Sequence, residues 1–484
     1  MKIWPGWLKT VEGHNLDDRR QNEIKRRNTF MPLMVSISGI RGVVGTTLVP
    51  ETIVQYVSAY AEYCRCGKII IGRDGRITGK NISNLISSVL LQAGCDVTDL
   101  GVCPTPSVAL AVERQKASGG IAVTASHNPM QWNGLKFFAP TGLFLDAEEN
   151  KIFWNLAKNS VPHYAPWDRQ GSYLLTEDFI DEHVAAVLSL PFLSKDLIRK
   201  RKFRIVIDAV NAAGGIIVPR LLLELGCTCI LQNCEVSGIF AHTPEPIPEN
   251  LSSLCAAVKR EHADLGIAVD PDVDRLVLID EKGEPYGEEY TIATCADFIL
   301  SKKADTASKP SVVVNLSTTR AIEDIAYKYH AAVIRTPVGE INVAKRMKAE
   351  RSLIGGEGSG GVILPDVHYG RDAIVGIGII LQYLAEFNGP LSALKAGLPQ
   401  YFIVKGRVDL GTLDPDAALE RIEQAHAHSG KVTKDDGLKI DFAHSWVHLR
   451  KSNTEPIIRI IAEAPARTEA EELVRLFTEE VLGS

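Results

Sequence analysis

The sequence predicts an α/β protein: three related α/β domains with mixed sheets, followed by a smaller α+β C-terminal domain. Three observations predict it. A strand–helix–strand pattern recurs three times, opening at residues 68–74, 203–208 and 311–315 with a short apolar run that ends on Asp74, Asp208 or Asn315. The first two copies close alike, with helix-like stretches running into Gly94-Cys95 and Gly226-Cys227. From about Leu398 the pattern changes: strand-like runs at 401–404 and 457–461 alternate with amphipathic stretches near 414–428 and 468–482.

Taken in order, residues 1–33 carry mixed charge (Asp17, Asp18, Arg19, Arg20, then Lys25, Arg26, Arg27) and neither sustained periodicity nor an apolar core of signal-peptide length. They read as a disordered extension, with Met31 or Met34 an alternative start. The three copies then define domains at 34–190, 200–302 and 303–397, because strand, helix and strand joined by short connections form parallel α/β units. The tail, 398–484, forms its own sheet. With 45% apolar residues in 484, each domain can build a core.

Composition also excludes function classes. A net charge of −6 offers no polyanion-binding surface, so nucleic acid is not an expected partner. The apolar run 373–381 is about half the roughly 20 residues a membrane span needs, and reads as a buried helix; no membrane partner is expected. Nine scattered cysteines, with Cys64/Cys66 and Cys227/Cys229 lacking Cys-x-x-Cys spacing, read as buried free thiols of a cytoplasmic protein.

Four constellations carry chemistry. Thr124-Ala125-Ser126-His127-Asn128-Pro129 follows the strand-like residues 119–123 and puts a hydroxyl nucleophile beside an imidazole, with Asn133, Gly134 and Lys136 close behind. Asp270-Pro271-Asp272-Val273-Asp274-Arg275 follows the strand-like residues 265–269. In an extended segment alternate side chains share a face, so three mutually repelling carboxylates converge and call for a hard divalent cation; Mg²⁺, with oxygen ligands at roughly 2.0–2.1 Å, fits best. Residues 355–361 bracket Glu357 and Ser359 with five glycines, which lets backbone approach a ligand while the two side chains hydrogen-bond sugar hydroxyls. Arg450, Lys451, Ser452, Asn453 and Thr454 offer the donors a phosphate dianion needs from several sides.

In this order the four constellations resemble the loops of the α-D-phosphohexomutases: the phosphoglucomutases, phosphomannomutases and phosphoglucosamine mutases. The resemblance runs from about Val35 to the C-terminus, and Ser38-Gly39-Ile40-Arg41-Gly42 is similar to the family's N-terminal signature, placing Arg41 near the phosphoserine. It implies that Ser126 rests as phosphoserine and also binds the metal with Asp270, Asp272 and Asp274. It implies a hexose 1,6-bisphosphate as intermediate and activator, a sugar phosphate as the small-molecule partner, and a monomer or homodimer. Lys136, Arg41 and His127 are the proton-transfer and electrostatic candidates, Lys136 as a base if neighbouring cations lower its pKa. Arg275, Thr336, Val338, Gly339, Glu357, Ser359, Arg371, Arg450, Ser452, Asn453 and Thr454 are the substrate-binding candidates. The segment Thr336-Pro337-Val338-Gly339-Glu340 resembles the sugar-recognising loop of the phosphoglucosamine branch, so glucosamine phosphate is the expected substrate, with mannose and glucose phosphates as alternatives. Water reaching the phosphoserine would make a phosphatase; loss of turnover with retained binding would leave a sugar-phosphate sensor.

Overall fold

The structure, a computed structural model, describes residues 33–303, 310–411, 413–452 and 457–483. The expected extension lies, but for Leu33, outside the described residues. Each of the three sequence copies becomes a parallel pair of strands with its helix between: Ile69–Arg73 and Val97–Val102, Arg204–Asp208 and Thr228–Gln232, Ser311–Asn315 and Ala332–Thr336. A second helix then returns the chain to a third parallel strand on the other side of the first: Gly119–Val123, Leu265–Val269 and Ile354–Glu357. A fourth strand lies antiparallel to that one: Trp132–Phe138, Leu276–Ile279 and Gly361–Ile363. The strand order fourth-third-first-second is therefore common to all three domains, and the sheets are mixed as expected. The first sheet alone is extended, by Gly39–Val43 and Met34–Ser36 at one edge and Tyr173–Leu175 at the other.

The parallel strands read as continuous apolar runs because helices cover both faces: Ile69, Ile70 and Ile71 are all fully buried, as are Val312, Val313 and Val314. The apolar run singled out in the sequence becomes the helix Ala373–Phe387, capped by Asp372, whose carboxylate accepts from the backbone N–H of Ile374 and Val375. This helix packs against Phe179–Leu188, Lys195–Arg201, Gly214–Glu224 and Glu288–Lys303, and so joins the first three domains through one core. Each fully buried side chain along it, such as Ile374, Ile379 and Leu381, contributes about 1.5–3 kcal/mol.

The C-terminal sheet is antiparallel throughout, in the order Phe402–Asp409, Ile457–Ala464, Trp446–Lys451, Leu438–Asp441, Lys431–Thr433. Alternation gives it two unlike faces. One packs Leu438, Ile440, Val447, Leu449, Ile458 and Ile460 under the helices Pro415–His426 and Arg467–Leu482. The other carries Lys439, Trp446, His448 and Glu463, all buried, and several of these groups meet the third domain.

Candidate active site

In each of the first three domains the chain turns from the third parallel strand to the antiparallel one at the same end of the sheet, the carboxyl end at which open α/β sheets bind ligands. The serine segment, the aspartate segment and the glycine segment occupy these three equivalent turns.

The serine turn is held by a buried pair to which sequence reasoning gave no role. Arg76, with its Nε 3.0 Å from Asp74 Oδ2, donates to four carbonyl oxygens of the turn: Ser126 (2.6 Å), Asn128 (2.7 Å), Pro129 (2.8 Å) and Trp132 (2.9 Å). Thr124 Oγ1 donates to Asp74 Oδ2 and accepts from the Ser126 N–H. Ser126 is thereby fixed in the left-handed region, φ 49°, a conformation that costs a non-glycine residue about 1–2 kcal/mol. Its position at the carboxyl end of the strand Ile69–Arg73 was the available signal for Asp74. The Ser126 hydroxyl lies 3.1 Å from Asp270 Oδ2 and 3.2 Å from His127 Nδ1. Burial, helped by Arg275 and Arg41, pushes the His127 pKa well below its ordinary value, so the imidazole is neutral.

The three aspartates converge, but through a turn rather than along an extended run: Val273 has φ 61°, and the Asp274 and Arg275 N–H groups both donate to Asp270 Oδ1. One oxygen atom from each carboxylate lies within 4.8 Å of the others. Lys136, on the strand Trp132–Phe138, sets Nζ 2.6 Å from Asp272 Oδ2 and 3.2 Å from Asp274 Oδ2, and Thr105 Oγ1 reaches Asp272 Oδ2 at 2.7 Å. Burial works against the Lys136 ammonium, but Asp272 and Asp274 outweigh it and raise its pKa. The expectation that nearby cations would lower it is thus corrected: Asp272 and Asp274, at 2.6 and 3.2 Å, outweigh both burial and Arg41. Asp270 is pushed well above the usual carboxylate range by burial and by Asp274 and Asp272, whereas Asp274, although buried, is held far below it by Arg371, Lys136 and Arg275.

The residues fit a divalent cation. Asp272 Oδ1 and Asp274 Oδ1 are buried and make no hydrogen bond, while the other oxygen of each carboxylate is occupied by Lys136 with Thr105 or with Arg371. Two orphaned anionic oxygens beside Asp270 and a serine hydroxyl form an oxygen-only donor set, the kind hard cations take. Arg41 lies over the same cluster, under the influence of Asp272 and Asp274, with Nη1 3.2 Å from Asn128 Oδ1. Arg275 Nε is buried with no hydrogen-bond partner and lies 3.9 Å from Asp274 Oδ1.

The glycine turn is joined to the aspartate turn: the Leu276 N–H donates to Gly360 O at 2.9 Å, and a Cβ at Gly360, φ 88°, would lie 2.5 Å from Leu276 O. Glu357 Oε1 accepts from Asn315 Nδ2 (2.8 Å) and Gly339 N–H (3.0 Å), and Oε2 from Arg371 Nη1 (2.7 Å). A carboxylate has about four acceptor positions, so one remains open. Ser359 is half-buried in the same turn, whereas the Thr336 hydroxyl is turned back onto Pro337 O.

The fourth segment adjoins through Asp436, whose Oδ2 accepts from the Val338 N–H and pairs with Arg450 Nη2, both at 2.9 Å. Arg450 Nε is buried without a partner, and the Ser452 N–H donates to Ile457 O at 3.0 Å. Asn453 and Thr454 lie outside the described residues. Arg41, Ser126, His127, Lys136, Asp270, Asp272, Asp274, Glu357 and Arg371 thus form one linked cluster. Thr105, Asp74 and Arg76 are the members that sequence reasoning missed, and Glu340, read there only as the end of the 336–340 segment, joins through Arg371.

Family profiles described as phosphoglucomutase/phosphomannomutase alpha/beta/alpha domains I, II and III match residues 34–161, 181–283 and 287–402, and the C-terminal domain profile matches 404–480. A phosphoglucomutase/phosphomannomutase of Thermococcus kodakarensis is 35% identical over 445 residues, 90% of this chain and 96% of that protein. A probable phosphoglucosamine mutase of Methanopyrus kandleri is 34% identical over 441 residues, 90% of this chain and 95% of that one. A solved phosphoglucomutase/phosphomannomutase family protein from Burkholderia thailandensis shares the fold, with a TM-score of 0.79 over 93% of this chain and 98% of its own at 24% identity.

Proposed function

The chain belongs to the phosphoglucomutase/phosphomannomutase family and is a phosphohexomutase; from that premise we propose that it interconverts glucosamine 6-phosphate and glucosamine 1-phosphate through a phosphoserine at Ser126. The observation that carries the reading is the placement of the Ser126 hydroxyl 3.1 Å from Asp270, beside two buried carboxylate oxygens that have no hydrogen-bond partner. Phosphoryl transfer asks chiefly for positioning and charge neutralisation, which this cluster supplies.

In the forward half-reaction the bond between phosphorus and Ser126 Oγ breaks as a bond from phosphorus to a sugar hydroxyl oxygen forms. The hydroxyl proton leaves to a base, and Oγ regains one. Lys136, kept protonated by Asp272 and Asp274, supplies the proton to Oγ as it leaves, and His127, neutral and 3.2 Å from Oγ, accepts the Ser126 proton when the phosphoryl group returns. Lys136, Arg41 and Arg275 neutralise charge on the phosphoryl oxygens. The second half-reaction returns the other phosphate of the hexose 1,6-bisphosphate to Ser126, and the same bisphosphate activates unphosphorylated enzyme. Asp270, Asp272, Asp274 and Ser126 would hold Mg²⁺, which when bound would polarise phosphoryl oxygen and stabilise developing charge. Glu357 and Ser359 read the sugar, with the 336–340 segment set beside them by the Gly339 N–H on Glu357 Oε1, while Arg450, Ser452, Asn453 and Thr454 grip the distal phosphate. The preference for glucosamine follows the sequence of the 336–340 segment and the name shared by relatives such as the Methanopyrus kandleri protein.

The test is a parallel kcat/KM comparison on glucosamine, mannose and glucose 6-phosphates with Mg²⁺ and a bisphosphate activator, followed by phosphorus NMR. Preference for mannose or glucose phosphate would overturn the glucosamine assignment. Inorganic phosphate appearing as fast as isomerised product would make the protein a phosphatase.

A further inference from the structure

Arg371 has surroundings unlike those of an arginine waiting for an anion. Its Nη1 donates to Glu357 Oε2 and its Nη2 to Asp274 Oδ2, both at 2.7 Å, and its Nε donates to Glu340 Oε2 at 3.0 Å. One guanidinium thus grips three carboxylates drawn from the aspartate turn, the glycine turn and the start of the helix Glu340–Glu350. Space for its stem exists because residue 361 is glycine: a Cβ there would lie 2.3 Å from Arg371 Cδ and 3.0 Å from Cγ. The base of the side chain is equally fixed. The Arg371 N–H donates to Glu340 Oε1, and the next residue, Asp372, receives His183 Nε2 at 2.7 Å and His368 Nε2 at 2.9 Å while capping the buried helix.

The consequence lies in which oxygen atoms are taken. Arg371 and Lys136 occupy Asp274 Oδ2, and it is Oδ1 that stays buried without a hydrogen-bond partner. On Glu357, Arg371 takes Oε2 while Asn315 and Gly339 take Oε1. We propose that Arg371 is a positioning residue: seated against Gly361, it fixes Asp274 and Glu357 together, so that metal affinity and hexose affinity are set by one side chain. This deepens, and rests on, the reading of the cluster as a metal-dependent hexose phosphate site.

Two effects compete when Arg371 is replaced. Loss of a cation beside Asp274 would by Coulomb attraction alone tighten metal binding, whereas loss of the fork frees the carboxylate to rotate and weakens it; groups that orient metal ligands are typically worth about 10–100-fold in affinity or activity. The proposal requires the second effect to win. A lysine keeps the charge but not the planar fork.

The experiment compares the full-length wild type with R371Q, R371K and G361A. It measures Mn²⁺ binding by electron paramagnetic resonance, KM and kcat on glucosamine 6-phosphate with Mg²⁺, and Tm. R371Q is expected to weaken Mn²⁺ binding and to raise KM, each by about tenfold, with R371K recovering neither fully. G361A, which displaces the stem, is expected to reproduce R371Q, and the double variant to add less than about twofold to either single change. Equal or tighter Mn²⁺ binding in R371Q, or a lowered Tm with KM unmoved, would overturn the proposal. If R371Q does not fold, R371K decides: wild-type Mn²⁺ affinity and KM in that variant would sink the idea. A wild type without mutase activity on any hexose phosphate would remove the proposed function, and the Mn²⁺ titrations would then decide the role of Arg371 by themselves.

Discussion

The seam between the first and second domains and the seam between the third and fourth are both polar and buried, yet they handle charge in opposite ways. In the first, Lys136 meets Asp272 and Asp274 at 2.6 and 3.2 Å, and ion pairs hold the Lys136 ammonium and the Asp274 carboxylate in their charged forms out of water, while the pKa of Asp270, 3.1 Å from Ser126, is raised by burial and its neighbours. In the second, Ser317 Oγ meets His448 Nδ1 at 2.9 Å, and Glu463 accepts from Trp446 Nε1 at 2.5 Å and from the Arg320 N–H at 2.9 Å. There burial wins over pairing: it lowers the His448 pKa to about 4, raises Glu463, and raises the adjoining Glu289 to about 8. One seam is built to keep charge in place and leaves carboxylate oxygens for a further cation. The other moves His448, Glu463 and Glu289 towards their neutral forms, with charged contacts such as Val338 N–H on Asp436 and Lys405 on Glu288 joining the fourth domain beside them.

The largest effect expected from this contrast comes from Ser126→Ala, which should lower turnover roughly 10⁴-fold or more and remove the phosphoryl adduct from the intact mass. Turnover within tenfold of wild type would mean that the first seam carries no covalent intermediate. Next come chelation by EDTA and Asp272→Asn, each expected to cost about 10³-fold in kcat/KM. Added Mg²⁺ should restore only the chelated wild type; a chelated enzyme that keeps its rate would break the link between the orphaned oxygens and a cation. Smaller again is His127→Gln, expected to lower kcat about 10²-fold if His127 moves the proton at Ser126. A drop of less than threefold, beside a larger one for Lys136→Met, would exchange the two roles.

The smallest effect is on stability and belongs to the second seam. His448 is folded in a neutral form, with Nε2 donating to Asp436 O and Nδ1 accepting from Ser317, and its folded pKa of about 4 lies below the ordinary value near 6.5. The unfolded chain therefore takes up a proton that the native state refuses. Stability from this group is fully present above about pH 6.5 and is lost as pH falls towards 4, by on the order of 1–3 kcal/mol. Glu289 works the other way: its contribution is present below about pH 4.3 and is lost as pH rises through about 8. His448→Gln should flatten the fall in Tm between pH 6.5 and 4 and leave kcat near pH 7 within about twofold. An unchanged Tm profile would mean that the second seam does not discharge as described.

Legibility differed between the same two regions. The strand–helix–strand copies, the buried helix Ala373–Phe387 and the serine, aspartate and glycine segments were readable because each depends on residues adjacent in sequence. The hold of Arg76 on the serine turn was not, since four carbonyl acceptors belong to a segment some fifty residues away and backbone oxygen atoms carry no residue signature. The aspartates were read as an extended alternation, whereas Val273 takes a left-handed conformation that a β-branched residue rarely adopts and that no local propensity predicts. The high Lys136 pKa was likewise invisible, because its deciding neighbours come from another domain.

The sequence by itself determined the fold class, the order of the four functional segments and the residue types that each brings, since hydrophobic period and local motif are properties of neighbours along the chain. Only the tertiary structure decided which oxygen atom of Asp272 and of Asp274 stays free, that Arg371 fills the space beside Gly361, and that His448 is neutral while Lys136 is charged. Those outcomes turn on distances of a few ångströms between groups from different domains, where desolvation and Coulomb terms are both large and the nearer partner wins.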